Sequence, residues 1–426
     1  MPSRRRFLLC AATAAPVLGL PSSVFASLPT PQESLPAPIL ALTDRTAGAK
    51  PITARERDER LDRARNLMHA NKIDAIVLTT GASLYYFTGA RWGQSERLFA
   101  YVLPVAAAPF VVCPALERDR FAELLAHFPA RESTVTYFWE ENESPSTILR
   151  KALAQDNLTT GTLGIEEHVQ FAFSNAIAEA CPAMKLVSAT PVTAGCRSIK
   201  TPAELALLQL ANTITLDVYR AVYQSCHPGD TNKTVSDLVA KAYARCGVVG
   251  NASCNVGPNS AVPHGSSRPQ VIGEGDLVMV DDGCTVEGYT SDITRSWVYG
   301  KPTDEQRKVF DIVHGAQSAA LAAARPGVPA QSVDAAARKV IVEAGYGPGY
   351  SIFYHRVGHG IGLDMHEWPY LVGGNIAPLQ SSQTFSDEPG IYLHGKFGVR
   401  LEDCMYVTDD GAKLFTPQSV SLEHPF

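Results

Sequence analysis

The chain has 426 residues, 45% of them hydrophobic and 19% charged, which excludes a disordered, collagen-like or coiled-coil polymer and leaves a folded enzyme or a folded binder. At roughly 150 residues per domain, two or three domains are expected. A net charge of −6 offers no basic face, so no nucleic-acid partner is expected.

Residues 1–26 open with Ser3-Arg4-Arg5-Arg6-Phe7-Leu8-Leu9 and continue as an Ala-rich apolar run to a small-residue site at Val24-Phe25-Ala26. A charged start, apolar middle and small-residue exit describe an export signal. The paired arginines resemble the twin-arginine type, which implies a periplasmic or exported address. Pro16 and Pro21 interrupt the run before the roughly 20 apolar residues of a spanning helix, and no later stretch reaches that length, so no membrane association is expected of the mature form.

Residues 27–53 are rich in Pro, Ala, Ser and Thr and read as a surface arm or linker, with order beginning near Ala54. The next stretch alternates helical and strand-like patterns: an amphipathic helix at 55–71, then strands at Asp74–Leu78, Leu98–Leu103, Pro109–Val112, Val135–Trp139, Leu163–Glu166 and Leu186–Ser188, with helices at 116–127, 145–155 and 170–180. This predicts an α/β domain over 54–196. Thr201-Pro202-Ala203-Glu204 supplies an N-cap, a proline in the first turn and a capping-box glutamate. A long helix therefore opens a second α/β domain over 197–426, with another helix at 231–245. Strands at Leu277–Asp281 and Ser291–Val298 follow, then helices near 303–325 and 330–344 and a strand-rich end.

Eight cysteines lie beyond the signal without any CxxC spacing, so a zinc-finger reading fails. In an oxidising compartment some could pair, but a chain of this size needs no disulfide framework, and buried free thiols are the simpler expectation.

The chemistry concentrates late in the chain. Asp281 ends the apolar run Val278-Met279-Val280, and Asp292 begins Asp292-Ile293-Thr294-Arg295 eleven residues on. An acid ending an apolar strand is costly to bury unless paired or metal-bound. The two read either as facing carboxylates of a hairpin or as solvated turn acids, and Asp282, pointing the other way, fits the second reading better. His355, His359 and His366 fall within twelve residues among Gly358, Gly360 and Gly362, glycines that allow close approach. Glu388, in Glu388-Pro389-Gly390, and Glu402, in Val399-Arg400-Leu401-Glu402-Asp403, adjoin strand-like runs. Four carboxylates and one imidazole form a hard, oxygen-rich set suited to two divalent ions such as Mn²⁺, Co²⁺ or Zn²⁺, with hydrolysis by a bridging water as the reaction class.

Asp281, Asp292, His359, Glu388 and Glu402, with the motifs around them, resemble the metal set of the pita-bread metallopeptidases. The separate N-terminal domain and His264, His355 and His366 resemble the Xaa-Pro branch, aminopeptidase P and prolidase. The resemblance implies a creatinase/prolidase-like α/β domain followed by a pita-bread catalytic domain. It implies two divalent metals, manganese first, with Asp281 on one, His359 and Glu388 on the other, and Asp292 and Glu402 bridging. Glu388 would accept a proton from the bridging water, His264 and His355 would line the prolyl pocket, His366 would stabilise the oxyanion, and Arg400 would orient its neighbours. Met365 stands where a β-branched residue is more usual. The implied substrates are short peptides with proline in second position, and a homo-oligomer, dimer or tetramer, is implied as well.

Aminopeptidase P is preferred over prolidase because exported enzymes meet longer peptides. The other readings are a metal-free creatinase-like relative, a binding protein, and a lyase or organophosphate hydrolase on the same fold. Ser83–Trp92 resembles the family's Tyr-x-Thr-Gly segment. It reads either as an aromatic core strand and turn or as a segment whose Arg91 or Trp92 reaches a neighbouring subunit's active site.

Overall fold

The computed structural model describes residues 35–263 and 265–426. The export signal expected at 1–26, the first part of the arm and His264 lie outside them. Within the described residues, strand Ala75–Leu78 pairs antiparallel with Ala100–Pro104 and parallel with Gly161–Ile165 at the middle of a six-stranded sheet. Phe110–Pro114 and Val135–Trp139 extend one side and Met184–Ser188 the other. Ala75–Leu78 is buried throughout, as expected of a strand covered on both faces.

The aromatic run near residue 85 departs from its core-strand reading, because Gly81–Thr88 is a helix. Leu84, Phe87 and Thr88 recur at helical spacing on its buried side, the Thr88 hydroxyl donates back to Leu84 O at 2.7 Å, and Gly89 ends the helix at φ 77°. Packing of that face outweighs the strand preference of adjacent aromatics. The arm lies mostly on the surface, but order begins well before Ala54. Its helix Ala37–Leu40 buries Ile39 completely, Arg45 pairs with Asp217 at 2.7 Å, and Arg245 donates to Leu40 O and Leu42 O, both at 3.0 Å. One apolar anchor and distant partners order a stretch whose composition reads as loop.

The second half begins as its capping signal predicts. The Thr201 hydroxyl accepts from Glu204 N, and Glu204 accepts in return from Thr201 N, at the start of helix Pro202–Tyr223. Strand Leu277–Asp281 lies between Ser253–Val256 and Arg295–Val298. The strand expected from Ser291 starts only at Arg295, because Ser291 N and Ile293 N donate to Cys284 O and Asp282 O instead. A small hairpin, Cys284–Val286 and Tyr289–Thr290, fills the gap. A five-stranded sheet runs Glu367–Leu371, Gly358–Gly360, Thr384–Asp387, Asp403–Val407, Ala412–Leu414, and Gly390–Leu393 pairs with Phe397–Arg400. Helices Asp304–Ala323 and Ala330–Glu343 cover an apolar core that includes Leu277, Phe310, Phe353, Phe385 and Met405. No helix among the described residues is long and apolar enough to cross a membrane. All eight described cysteines are buried and unpaired.

Candidate metal centre

The acids and histidines meet where strands stop. Asp281 ends its strand, and Asp292 sits in the loop before Arg295–Val298. His359 is the middle residue of Gly358–Gly360. Glu388 follows Thr384–Asp387, its N–H held by Val357 O at 2.8 Å. Glu402 lies in the break between Phe397–Arg400 and Asp403–Val407, its N–H held by Thr294 O at 3.1 Å. All five line a cavity of about 290 Å³, together with Asp282, His355, Arg356, His366 and Arg400.

Three compact triads emerge at the site, Asp292–His359–His366, His359–Glu388–Glu402 and Asp281–Asp292–Glu402, each with ligand atoms within 4.8 Å of one another. Glu402 belongs to the last two. Its Oε2 accepts from the Thr294 hydroxyl at 2.6 Å, whereas its Oε1 is buried without a hydrogen-bond partner. The same hydroxyl stands 2.6 Å from Asp281 Oδ1 and accepts from Arg400 Nε at 2.9 Å. One hydroxyl proton cannot serve two ionised carboxylates at once.

The electrostatics call for added positive charge. Burial, reinforced by neighbouring carboxylates, drives Asp292 and Glu402 well above the ordinary carboxylate range. Burial pushes Glu388 up to about 7 despite Arg400. Burial, with His366 alongside, takes His359 down to about 3, so its imidazole is neutral. His359 Nδ1 lies 3.1 Å from Gly360 O, a carbonyl that can only accept, so the proton is on Nδ1. The Nε2 lone pair is thereby aimed at Asp292 Oδ2, 3.6 Å away, and Glu388 Oε1, 3.4 Å away. A lone pair facing carboxylates, a buried orphan oxygen and crowded acids all fit bound divalent cations.

The remaining expected residues divide. Arg400 is buried and ion-paired with Asp281. His366 is exposed at the cavity edge, its ring centroid 3.9 Å from that of His359. Burial and Arg400 push His355 down to about 3, and both its nitrogens are engaged: Nδ1 donates to Arg356 O at 2.8 Å and Nε2 accepts from the Tyr392 hydroxyl at 2.7 Å. It therefore offers the cavity a ring face. Asp282 is not a solvated turn acid; half-buried, it accepts from Ser253 N at 3.0 Å, and burial raises it to about 6. Trp92 is only 8% exposed and stacks on Phe99 at 4.2 Å, so it is a core side chain of its own domain.

Thr294, Tyr392 and Arg197 were not singled out from sequence. Thr294 lies inside Asp292-Ile293-Thr294-Arg295 and Tyr392 two residues past Glu388-Pro389-Gly390, whereas Arg197 has no local signal.

A family model described as metallopeptidase family M24 matches residues 206–409, and one described as a creatinase/prolidase N-terminal domain matches residues 60–199. Xaa-Pro dipeptidase of Lactobacillus delbrueckii subsp. lactis is 32% identical over 85% of this chain and 98% of its own. The structure of dipeptidase PepE from Mycobacterium ulcerans has a TM-score of 0.82 at 32% identity, covering 88% of this chain and 99% of that one. X-Pro aminopeptidase from Thermotoga maritima has a TM-score of 0.70 at 27% identity, covering 83% and 97%.

Proposed function

Since this chain belongs to metallopeptidase family M24, we propose that it hydrolyses the peptide bond between an N-terminal residue and a following proline. The observation that carries the reading is the pair of ligand triads sharing Glu402, which fits two divalent metals held by Asp281, Asp292, His359, Glu388 and Glu402. Manganese is the metal we propose, with cobalt or zinc as alternatives. When bound, such a pair supplies a water acidic enough to attack near neutral pH.

The protein's own groups do the rest. Glu388, on the cavity wall, accepts the proton of the attacking water. His366, at the open edge, donates a hydrogen bond to the developing oxyanion. Arg400 fixes Asp281, and the neutral His355 ring packs against the prolyl residue. A bond to proline is a tertiary amide without N–H, so it is recognised by ring shape and by its two ends rather than by strand pairing.

For peptide length, Arg356 supports the dipeptide reading over aminopeptidase P. Arg356 lines the cavity, its guanidinium 4.0 Å from the Tyr370 ring centroid and in no ion pair among the described residues, leaving it available to a free carboxylate. The Lactobacillus relative's name also points this way. The N-terminal arginines lead us to place the activity in the periplasm.

The test is hydrolysis of Ala-Pro and Ala-Pro-Ala by protein stripped with chelator and reloaded separately with Mn²⁺, Co²⁺ or Zn²⁺. Metal-restored cleavage of the dipeptide alone is expected. Cleavage of the tripeptide as well makes the enzyme an aminopeptidase P, and no cleavage with any metal moves it to the lyase, non-peptide or binding class.

A further inference from the structure

Arg197 closes the helix Thr190–Arg197 of the N-terminal half, yet its side chain bonds the segment that carries His366. Arg197 Nη2 donates to Asp364 Oδ2 at 2.7 Å and to Glu367 Oε2. Lys200 Nζ occupies the other oxygen of the same glutamate at 2.5 Å. Arg197, Lys200 and Glu367 side chains are 5%, 2% and 6% exposed. Two cations and two carboxylates thus balance, and removing one partner leaves a buried charge uncompensated.

The cluster is built into the loop. A Cβ at Gly362 would overlap the Glu367 carboxylate, and one at Gly360 the Glu367 carbonyl oxygen, so both glycines are required for Glu367 to seat. Gly362 N donates to Asp364 O at 3.1 Å, and Gly362 O accepts from Thr290 N at 2.8 Å. Asp364 and Glu367 flank His366 on either side. At its other end Arg197 donates to the Ser83 hydroxyl at 3.2 Å, which donates to Glu166 at 2.9 Å. The guanidinium is therefore fixed to the N-terminal domain while gripping the residue two before and the residue just after a histidine at the metal centre.

We propose that Arg197 is a positioning residue of the N-terminal domain: by holding Asp364 and Glu367 it sets the imidazole of His366 beside His359. The kinetic consequence rests on the oxyanion role given to His366 above; the geometric one does not. Metal content should be indifferent to the change, because Arg197, Asp364 and Glu367 lie outside every ligand group of the site. Misplacing a transition-state donor by about an ångström costs on the order of 100-fold in rate.

The test compares metal-loaded wild type, Arg197→Met, Arg197→Lys, His366→Ala and the double variant Arg197→Met/His366→Ala on Ala-Pro. Arg197→Met is expected to lower kcat by about 10- to 100-fold with KM changed by less than about threefold and metal stoichiometry intact. Arg197→Lys restores part of the loss. Once His366 is Ala, adding Arg197→Met costs less than about threefold, whereas multiplicative losses would show that Arg197 does not act through His366 and would overturn the proposal.

A second readout needs no turnover. The ring ¹³Cε1–¹H resonance of His366, assigned by its disappearance in His366→Ala, shifts in Arg197→Met and returns towards its wild-type position in Arg197→Lys. An unmoved resonance overturns the proposal. If wild type cleaves no prolyl peptide, the proposed activity fails and this resonance alone decides the positioning. Should Arg197→Met not fold, Asp364→Asn, at the half-exposed partner, is read in the same way.

Discussion

His359 Nε2 stands 3.4 Å from Glu388 Oε1 with its own proton on the opposite nitrogen, held by Gly360 O. An imidazole lone pair and an ionised carboxylate at that range repel, so either a proton on Glu388 or a metal cation must lie between them. The metal and the proton compete for the same place.

Metal uptake should therefore compete with protons. Glu388 is raised to about 7, so it is protonated below that pH, and calorimetry at pH 6 and pH 8 should show tighter binding and less proton release at pH 8. Glu388→Ala should abolish turnover and weaken one of two metal positions. Asp282→Ala, which removes a side chain bonded to Ser253 N, should keep both, and equal metal loss in the two variants would place Asp282 among the ligands.

Thr294→Val removes the hydroxyl shared by Asp281, Glu402 and Arg400. Groups that orient ligands are worth about 10- to 100-fold in metal affinity. We expect a loss of that size in a competition titration against a chelating dye, with little change in the far-ultraviolet spectrum.

Arg356→Gln should raise KM for Ala-Pro by about 10-fold or more, the value of one charge-assisted pair at roughly 1.5–3 kcal/mol, and affect Ala-Pro-amide far less. Equal effects on the acid and the amide would remove Arg356 from carboxylate recognition.

Glu367 carries a pH signature in stability. Burial alone would raise its pKa, but Lys200 and Arg197 more than offset this and hold it below its ordinary 4.5. Between the depressed value and 4.5 the unfolded chain binds the extra proton, so the stabilisation is complete above that window and lost as pH falls through it. Glu367→Gln should cost about 3–5 kcal/mol at pH 7, and the gap from wild type in urea unfolding should narrow below about pH 4.5. A gap constant from pH 7 to pH 3.5 would contradict the ion-pair account.

Trp92→Ala empties a site in the N-terminal core beside Phe99. Such truncations cost about 3–5 kcal/mol, seen as a lower unfolding midpoint. The ratio of kcat/KM between dipeptide and tripeptide should stay unchanged, and a selective change in that ratio would bring Trp92 back towards the substrate.

Much of the fold was legible because it rests on local rules. The Thr201–Glu204 capping box starts its helix as read, and the buried runs at Ala75–Leu78 and Leu277–Asp281 form strands. Gly81–Thr88 was not legible as a helix, because aromatic residues favour strands until a neighbouring surface, here including Arg60 at 3.9 Å from the Tyr86 ring centroid, claims one face. The order of the arm before Ala54 was missed for a related reason: a single Ile39 anchor carries no periodicity.

The sequence by itself offered the candidate metal set, because its acids and glycine-flanked histidines resemble those of the pita-bread metallopeptidases; burial cost alone left Asp281 and Asp292 open as solvated turn acids. Only the tertiary structure decided how those groups are held. The Thr294 hydroxyl between two carboxylates, the tautomer of His355 and the grip of Arg197 on Glu367, 170 residues away, all depend on distances between segments far apart in the chain. An arginine at the end of a helix looks like any other charged surface residue until the fold removes water from around it and leaves a carboxylate as its partner.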